Sequence, residues 1–375
     1  MNLLLLSGDS SIARGIEGAF SELLRDFALH WARIDILTPH AEGAQTRQLY
    51  ANVYVHPAPY HRALQPYFIW HKGHELLAQR PYDVVVSHDF GFFYNGIGAR
   101  ALLRGQNIPL ISELHHIEGY PIASTWRERA WRVAAGLYLR WAKRRVLAFR
   151  AVNHGDVPRY LRALGVPDEQ IVVLSSLYLK TDSYRPLPEL TPVYDGLYVG
   201  RLSANKGIGL IVQALALVKQ SHPQVKLALR GEGELRATLE AQIARLNLGE
   251  NVVFLPRVAK PDDMPRLYQS ARCLICASTV EGNPRVTAEA MACGVPVIST
   301  RVGIMPDLIQ SGDNGYLVER SPESIAQAWR KLLDDEALRQ RIGQAGRSAV
   351  LPYDARQTIP AYAQTYQALI ARGRR

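Results

Sequence analysis

The chain has 375 residues, of which 47% are apolar and 21% are charged, and its formal net charge is +10. It is too long for one ordinary core and too apolar for a disordered protein, so we expect two folded domains. The positive charge favours anionic partners such as nucleotide phosphates, anionic lipid headgroups or nucleic acid.

The first half alternates short apolar runs with amphipathic helical stretches. NLLLLSG, IDILTP, VYVHP, YDVVVSHD and IPLISELHH have the composition of buried parallel strands, and GAFSELLRDFALHW that of a helix. This pattern predicts an α/β, doubly wound, Rossmann-like domain. The N-terminal run is too short and lacks the basic residues of a signal peptide, and we find no stretch of about 18 apolar residues. We therefore expect a cytoplasmic protein, or one bound to the cytoplasmic face of a membrane.

The most basic part of the first half is residues 125–150. It carries eight Lys and Arg, three Trp and one acidic residue, Glu128. Trp and Arg interleaved on a helix indicate an element that binds an anionic membrane surface. The alternative is an ordinary helix with a solvated basic face and its Trp side chains packed inward. Residues 60–77 form a second aromatic and basic stretch, and together the two favour an acceptor held at a membrane.

Three prolines, Pro186, Pro188 and Pro192, mark a linker. The rhythm of strands and helices then restarts, which predicts a second Rossmann-like domain. We place the first domain at 1–185, joined by an amphipathic C-terminal helix at about 356–375, and the second at 186–355. In such sheets ligands bind beyond the carboxyl ends of the strands.

The three cysteines are Cys273, Cys276 and Cys293. The first two form a C-x-x-C within a strand-like apolar run, so their side chains should point to opposite faces. We expect buried thiols here rather than a metal or redox site, in a reducing compartment.

The segment VEGNPRVTAEAMACGVPVI, residues 280–298, places two carboxylates, Glu281 and Glu289, around the start of a helix. Asn283 followed by Pro284 is typical of a helix start, and the first amides of that helix would form an anion site. Both carboxylates could then accept hydrogen bonds from hydroxyls on either side of a diphosphate, as in a nucleotide sugar. The alternative is an ordinary loop charge and a solvated helix residue.

The segment LYVGRLSANKG places Arg201 and Lys206 in a loop after a strand, between Gly200 and Gly207. Two cations in one loop could hold a diphosphate and stabilise its departure. A basic surface loop is the alternative. The segment RGEGELR supplies a further glycine at a strand end, Gly231.

The pattern Glu281-x7-Glu289 followed by AMACGVPVI, with VGRL…KG upstream, resembles glycosyltransferase family 4 over the whole second domain. Members have the GT-B fold, with two Rossmann-like domains facing across a cleft, and transfer sugars from nucleotide sugars with retention of configuration. The resemblance implies that Arg201 and Lys206 bind the diphosphate. It also implies that Glu289 holds the ribose hydroxyls and that Glu281 contacts the transferred sugar. The expected donor-binding residues are Gly15, Gly200, Gly231, Arg257, Val258, Gly282, Asn283, Pro284, Arg285, Val286 and Glu289.

The first domain matches this family less closely. ISELHHIEG resembles the strand-end segment that gives a histidine to the donor sugar, with His116 as the first choice and His115 as the second. A structural histidine is the alternative. Gly15 is the expected close-approach position of the first loop. The nucleobase should lie near residues 255–260, where Pro256 replaces a glycine that members often have.

The resemblance thus implies a retaining glycosyltransferase that moves a hexose from a UDP- or GDP-linked sugar. The acceptor would be lipid-linked or a glycan at the membrane surface, in polysaccharide or glycolipid biosynthesis. The resemblance implies front-face chemistry, in which His116, Arg201, Lys206 and Glu281 are the catalytic residues. The chain contains no Asp-x-Asp, which agrees with chemistry that needs no metal, and we expect no other cofactor. The alternatives are a nucleotide-sugar epimerase, another enzyme on this fold, or a non-catalytic sugar-nucleotide-binding protein. No nucleic-acid-binding motif is present, so nucleic acid is not an expected partner.

Overall fold

The computed structural model describes residues 1–123, 125–258 and 260–373. They form two compact α/β units. The first unit combines Met1–Ser176 with the segment that begins at Arg356, and the second is Leu177–Ala355. Each is a Rossmann-like domain of the predicted class. The last two residues of the predicted C-terminal helix, 374 and 375, lie outside the described residues.

The first unit is built on an eight-stranded sheet in the order β3-β4-β2-β1-β5-β6-β7-β8. All neighbouring strands are parallel except β3 and β4. The strands are β1 Asn2–Leu6, β2 Arg33–Thr38, β3 Arg47–Tyr50, β4 Val53–Pro57, β5 Val84–His88, β6 Leu110–Leu114, β7 Ala148–Ala151 and β8 Ile171–Val173. The central strands are buried along almost their whole length, which explains their continuous apolar composition.

Six helices belong to the first unit: α1 Ala19–Phe27, α2 Gln65–Gln79, α3 Tyr94–Leu102, α4 Trp126–Ala142, α5 Asp156–Ala163 and the terminal helix α13 Ala355–Gly373. The helices α2 and α3 pack closely, because Gly98 leaves room for Ile69, whose Cβ lies 2.8 Å from where a Cβ on Gly98 would be. The next helix, α4, packs its inner face against the start of α3, where Tyr138 stacks on Phe93, the N-cap of α3, with ring centroids 4.3 Å apart. These three helices therefore form one layer.

The second unit has a six-stranded parallel sheet in the order β11-β10-β9-β12-β13-β14. Its strands are β9 Gly196–Val199, β10 Leu227–Arg230, β11 Val252–Leu255, β12 Leu274–Cys276, β13 Val297–Thr300 and β14 Tyr316–Val318. Its helices are α6 Ile208–Lys219, α7 Arg236–Arg245, α8 Met264–Gln269, α9 Arg285–Ala292, α10 Met305–Leu308, α11 Pro322–Asp334 and α12 Glu336–Val350. The carboxyl ends of β9, β10, β11 and β12 bring the expected donor-binding loops to one edge of this sheet.

The second unit begins before the proline-rich stretch that suggested the linker. Leu177 and Leu179 are fully buried in the second core, and the Leu179 amide donates to the carbonyl of Tyr353 over 2.9 Å. The prolines lie within this unit, where the Leu187 amide donates to the Gln269 side chain. The proline spacing thus marks an irregular surface segment rather than the domain boundary.

All three cysteines are free and buried, and burial raises the pKa of each thiol. They are therefore poor nucleophiles at neutral pH. Across the described residues, no cluster of His, Cys, Asp and Glu could hold a metal ion. The same part of the chain contains no helix that is both long and apolar enough to cross a membrane.

Candidate functional site

Two loops of the second unit, after β9 and after β12, bring Lys206 and Glu281 into contact. The Lys206 ammonium forms an ion pair with Glu281 Oε1, and Ser278 Oγ donates to the same oxygen over 2.9 Å. The loops are joined by the Thr279 amide, which donates to the Asn205 carbonyl over 2.8 Å. Glu281 is therefore held in place by protein partners, not an isolated loop charge.

The close approach of these loops requires glycine. Gly207 has φ of +65°, and a Cβ there would lie 2.1 Å from the carbonyl oxygen of Ala277. At the neighbouring strand end, a Cβ on Gly231 would lie 1.7 Å from the carbonyl oxygen of Gly200. A side chain at either position would force the loops apart, since real Cβ atoms do not approach oxygen so closely.

A pocket of about 650 Å³ opens beside these loops, at the carboxyl ends of β9, β10 and β11. Four of the predicted site residues line it, Gly200, Arg201, Gly231 and Arg257. Leu255 and Pro256, from the stretch expected near the nucleobase, line it as well. Val258 is not among the lining residues, and Ala259, within the stretch expected to meet the nucleobase, lies outside the described residues. The pocket has the size of a small-molecule site.

Sequence reasoning missed several residues of this pocket. Arg230 is the last residue of β10, and Arg236 begins α7 with its guanidinium 3.5 Å from the centroid of the Phe254 ring. With Arg201 and Arg257, four arginines and one acidic residue, Glu232, line the cavity. The position of Arg230 at the end of β10 was the available signal, because ligands bind at that edge of the sheet. The resulting potential favours an anionic ligand.

The cation predicted to bind a diphosphate, Arg201, is exposed. Its backbone is held by the Tyr198 hydroxyl, which donates to the Arg201 carbonyl over 2.6 Å. Within the described part of the chain, its guanidinium has no hydrogen-bond or ion-pair partner. It is therefore available to a ligand in the pocket.

The predicted helix start is displaced by one residue. Helix α9 begins at Arg285, and Pro284 is its N-cap, without a side-chain capping bond. The expectation of Asn283 as the cap and Pro284 as the first helical residue was therefore wrong, because Pro284 has an extended backbone with ψ of 91°. The first turn of α9 still follows directly after Gly282 and Asn283, so its amides lie where the sequence placed them.

Glu289 lies inside α9 and is only 5% exposed. Its Oε1 accepts from Arg285 Nε over 2.7 Å, and its Oε2 accepts from the Tyr268 hydroxyl over 2.6 Å. Burial, and then the Glu289 charge, raises the pKa of Tyr268 well above its ordinary value. The solvated alternative for Glu289 is thus excluded. A ribose hydroxyl would have to share or replace the Arg285 contact.

In the first unit, Gly15 lies in the loop after β1 with φ of +78°. The loop is tied to β3, since the Arg47 guanidinium donates to the Ile12 carbonyl. The two candidate histidines follow β6. His116 is exposed, whereas His115 Nε2 lies 3.8 Å from Glu113 Oε2, and its ring centroid is 6.1 Å from that of His88. His115 therefore lies beside a buried carboxylate, and both histidines remain candidates for the donor contact.

Glu113 itself was missed. It is 1% exposed and bonds to Arg150 and to two tyrosines of α13, Tyr362 and Tyr366. A glutamate within the apolar strand segment IPLISEL was the available signal, because a buried carboxylate needs charged or hydrogen-bonding partners.

Comparison with known proteins finds two family matches. A "Glycosyl transferase 4-like domain" matches residues 14–176, and "Glycosyl transferases group 1" matches residues 191–349. Among curated relatives, "Spore coat protein SA" of Bacillus subtilis is 33% identical over 159 residues, which is 40% of this chain and 42% of that protein. The "N-acetyl-alpha-D-glucosaminyl L-malate synthase" of Bacillus anthracis is 34% identical over 155 residues, 41% of this chain and 40% of that protein. The matching part thus spans about two fifths of these relatives.

Solved structures resemble the whole chain. "Sucrose-phosphate synthase" from Thermosynechococcus elongatus has a TM-score of 0.83 at 21% identity, covering 99% of both chains. Anabaena Alr3699/HepE, solved in complex with UDP-glucose, has a TM-score of 0.75 at 22% identity, covering 98% of this chain and 100% of that one. At these identities the likeness concerns the fold, which is that of GT-B proteins.

Proposed function

We propose that this chain, which belongs to the group 1 glycosyltransferases, transfers a hexose from a nucleotide sugar to an acceptor hydroxyl with retention of configuration. Its first domain is of the glycosyl transferase 4-like type. The observation that carries the proposal is the contact of Lys206 with Glu281 beside an arginine-lined pocket. A UDP- or GDP-linked sugar has the matching parts: a base and ribose, a diphosphate, and a hexose with hydroxyls.

Arg201 and Lys206 would bind the diphosphate. Arg201 offers a guanidinium that no described protein group occupies. Lys206 has three N–H donors, of which the contact with Glu281 uses one. The remaining donors, together with the first amides of α9, supply positive potential for two phosphates.

The carboxylates would bind hydroxyls on each side of the diphosphate. Glu281 Oε1 accepts hydrogen bonds from Lys206 and Ser278, and Oε2 has no partner among the described residues. That oxygen can accept from a hexose hydroxyl. Glu289 would accept from the ribose, with Arg285 moving toward the phosphate whose charge attracts it.

We propose front-face chemistry for the transfer. The acceptor oxygen attacks the anomeric carbon on the side of the leaving group, the bond from that carbon to the diphosphate oxygen breaks, and the acceptor proton passes to the departing phosphate. Lys206 and Arg201 offset the charge that develops on this phosphate, so no metal is needed for that step. His115, or His116 as the first sequence choice, would contact the donor hexose.

A thermal-shift screen tests the donor site. Ligands that bind only the folded protein raise its melting temperature by mass action. We expect UDP-glucose, UDP-N-acetylglucosamine or GDP-mannose to do so at millimolar concentration, and the shift to vanish in Arg201→Ala. If neither these ligands nor ADP-glucose shifts the melting temperature, a nucleotide-sugar site is rejected. Product analysis with the donor alone separates an epimerase, which needs no acceptor.

The acceptor class is suggested by helix α4. Its inner face is buried, but Trp126, Val133, Leu137 and Trp141 form an exposed stripe at helical spacing, with Trp126 74% exposed and Leu137 65% exposed. The alternative in which all the Trp side chains pack inward is therefore wrong, although Trp131 does contact the Phe92 ring, with centroids 4.0 Å apart.

Basic side chains flank this stripe. Arg127, Arg129 and Arg140 are exposed on α4, and the Arg100 guanidinium lies 3.9 Å from the centroid of the Trp141 ring. In the same helical layer, α2 exposes further aromatic rings, including Trp70. An apolar stripe between arginines suits the surface of an anionic bilayer. We propose that the acceptor is lipid-linked, or a glycan held at such a surface.

Co-sedimentation with vesicles of phosphatidylglycerol and phosphatidylcholine at low salt tests this. Each exposed side chain that becomes buried contributes roughly 1.5–3 kcal/mol, so Trp126→Ser with Leu137→Ser should weaken binding more than about tenfold. Leu29→Ser is the matched control, because Leu29 is 82% exposed elsewhere in the first unit. Equal binding by the double variant and the control would reject α4 as the contact.

A further inference from the structure

A buried charged cluster lies at the carboxyl end of β6. Glu113 Oε1 accepts hydrogen bonds from the hydroxyls of Tyr362 and Tyr366, the latter over 2.6 Å. Glu113 Oε2 accepts from Arg150 Nη1 over 2.7 Å. Side chains of β6, β7 and the terminal helix α13 thus converge on one carboxylate.

The cluster also anchors the chain where it leaves the first unit. Arg150 Nε donates to the Leu174 carbonyl over 3.1 Å, and Nη2 donates to the Ser175 carbonyl over 3.0 Å. The same guanidinium lies 4.2 Å from the centroid of the Tyr362 ring. Arg150 therefore has several partners. Its buried positive charge needs a counterion, and this alone would be a structural reason for a carboxylate at position 113.

Glu113 has a second set of neighbours at the carboxyl ends of β5 and β6. His88 Nε2 lies 3.5 Å and His115 Nε2 lies 3.8 Å from Glu113 Oε2. His88 is the last residue of β5 and is the register partner of Glu113. His115 is in the loop beyond β6, where open α/β sheets bind ligands. A structural partner for Arg150 would not require an imidazole there.

The charge state of the cluster supports this arrangement. Burial alone raises the pKa of Glu113, but its charged and hydrogen-bonding neighbours, Arg150 foremost, outweigh burial and hold that pKa well below its ordinary value. Burial lowers the pKa of His88 to about 4, so His88 is neutral at physiological pH. Glu113 is therefore an anion that can attract the proton-bearing nitrogen of His115.

We propose that Glu113 is a positioning residue for glycosyl transfer, which orients the imidazole of His115 while α13 fixes Glu113 through Tyr362 and Tyr366. With Nε2–H directed at the carboxylate, Nδ1 of His115 is left as an acceptor for a hydroxyl of the donor hexose. The inference rests on the proposed function, because it assigns His115 to the donor.

The experiment compares Glu113→Gln, His115→Ala and their combination. Release of nucleoside diphosphate is measured with the nucleotide sugar that gives the largest thermal shift, well below each melting temperature. Loss of a carboxylate that orients a metal-bound histidine typically costs about 10- to 100-fold. We expect a fall in kcat of that order for Glu113→Gln, with a smaller change in KM. In the His115→Ala background, Glu113→Gln should lower kcat no further.

Two further variants distinguish a loss of catalytic function from a loss of stability. Tyr366→Phe retains the ring and the Glu113 charge, and should lower kcat by roughly threefold to tenfold, again only when His115 is present. Asp35→Asn is the matched control, because Asp35 is also buried and bonded by His56 and Tyr82. It should lower the melting temperature without lowering kcat.

The outcomes separate the two levels of inference. Multiplicative losses in the double variant, or an equal loss of kcat in Asp35→Asn, would overturn the role of Glu113 while leaving the transferase proposal intact. An unchanged kcat in His115→Ala, with normal donor binding, would instead remove His115 from the proposed mechanism, and Glu113 with it.

Discussion

Replacing Lys206 by alanine tests the electrostatic mechanism most directly. The side chains of Lys206 and Glu281 are 18% and 16% exposed, so the site is largely, though not completely, shielded from water. Two unit charges about 4 Å apart attract by about 4 kcal/mol at an effective dielectric constant of about 20. Allowing for the exposed fraction, about 3–4 kcal/mol of this acts on the departing phosphate. Since about 1.4 kcal/mol corresponds to a factor of ten, kcat should fall between about 100-fold and 1000-fold.

The assay is release of nucleoside diphosphate at saturating donor, with donor affinity measured separately by calorimetry. We expect donor affinity to change by less than about tenfold, because the phosphate charge that Lys206 meets increases as the bond breaks. Lys206→Arg is the control that keeps the charge and should recover part of the rate. A kcat within about threefold of the wild type in Lys206→Ala would refute the reasoning.

Three further predictions concern stability and the shape of the pocket. Tyr268→Phe deprives the buried Glu289 carboxylate of a donor, so the free energy of unfolding in urea should fall by about 1–3 kcal/mol. Asp89 is buried, and burial raises its pKa from 3.8 to about 6. Its contribution to stability is therefore full below about pH 4 and is lost as the pH rises past about 6, which lowers the free energy of unfolding by about 3 kcal/mol. Unfolding curves between pH 4 and pH 7 should show this loss in the wild type and not in Asp89→Asn. Gly231→Ala places a Cβ against the Gly200 carbonyl, so donor affinity by calorimetry should fall more than about tenfold; unchanged affinity would show that the loop can move aside.

The parts of the fold that sequence could predict are those set by periodicity. Continuous apolar runs such as β5 and β6 are buried on both faces of a parallel sheet, and their alternation with helices identified both units. The boundary was harder to place, since it depends on where Leu177 and Leu179 find a core, and that is a long-range contact. The proline spacing carried no information about it.

In the candidate site, too, local sequence could predict some residues and contacts but not others. Lys206 and Glu281 follow strands and were predicted individually, and the structure brings them together. Arg285 lies four residues before Glu289 on α9, so local spacing could have indicated that ion pair. Local sequence could not show the hydrogen bond from Tyr268 to Glu289, because Tyr268 comes from another helix. Glu113 was missed for the same reason: its partners on α13 lie about 250 residues away in sequence.

The return of α13 to the first unit has a consequence for synthesis of the protein. The hydroxyls that complete the Glu113 cluster belong to Tyr362 and Tyr366, which leave the ribosome only after the entire second unit has been made. Until then the nascent first unit carries a buried carboxylate and arginine with an incomplete set of bonds. A ribosome that stops near residue 355 would therefore release a chain whose first unit lacks the two hydroxyls that complete the Glu113 cluster.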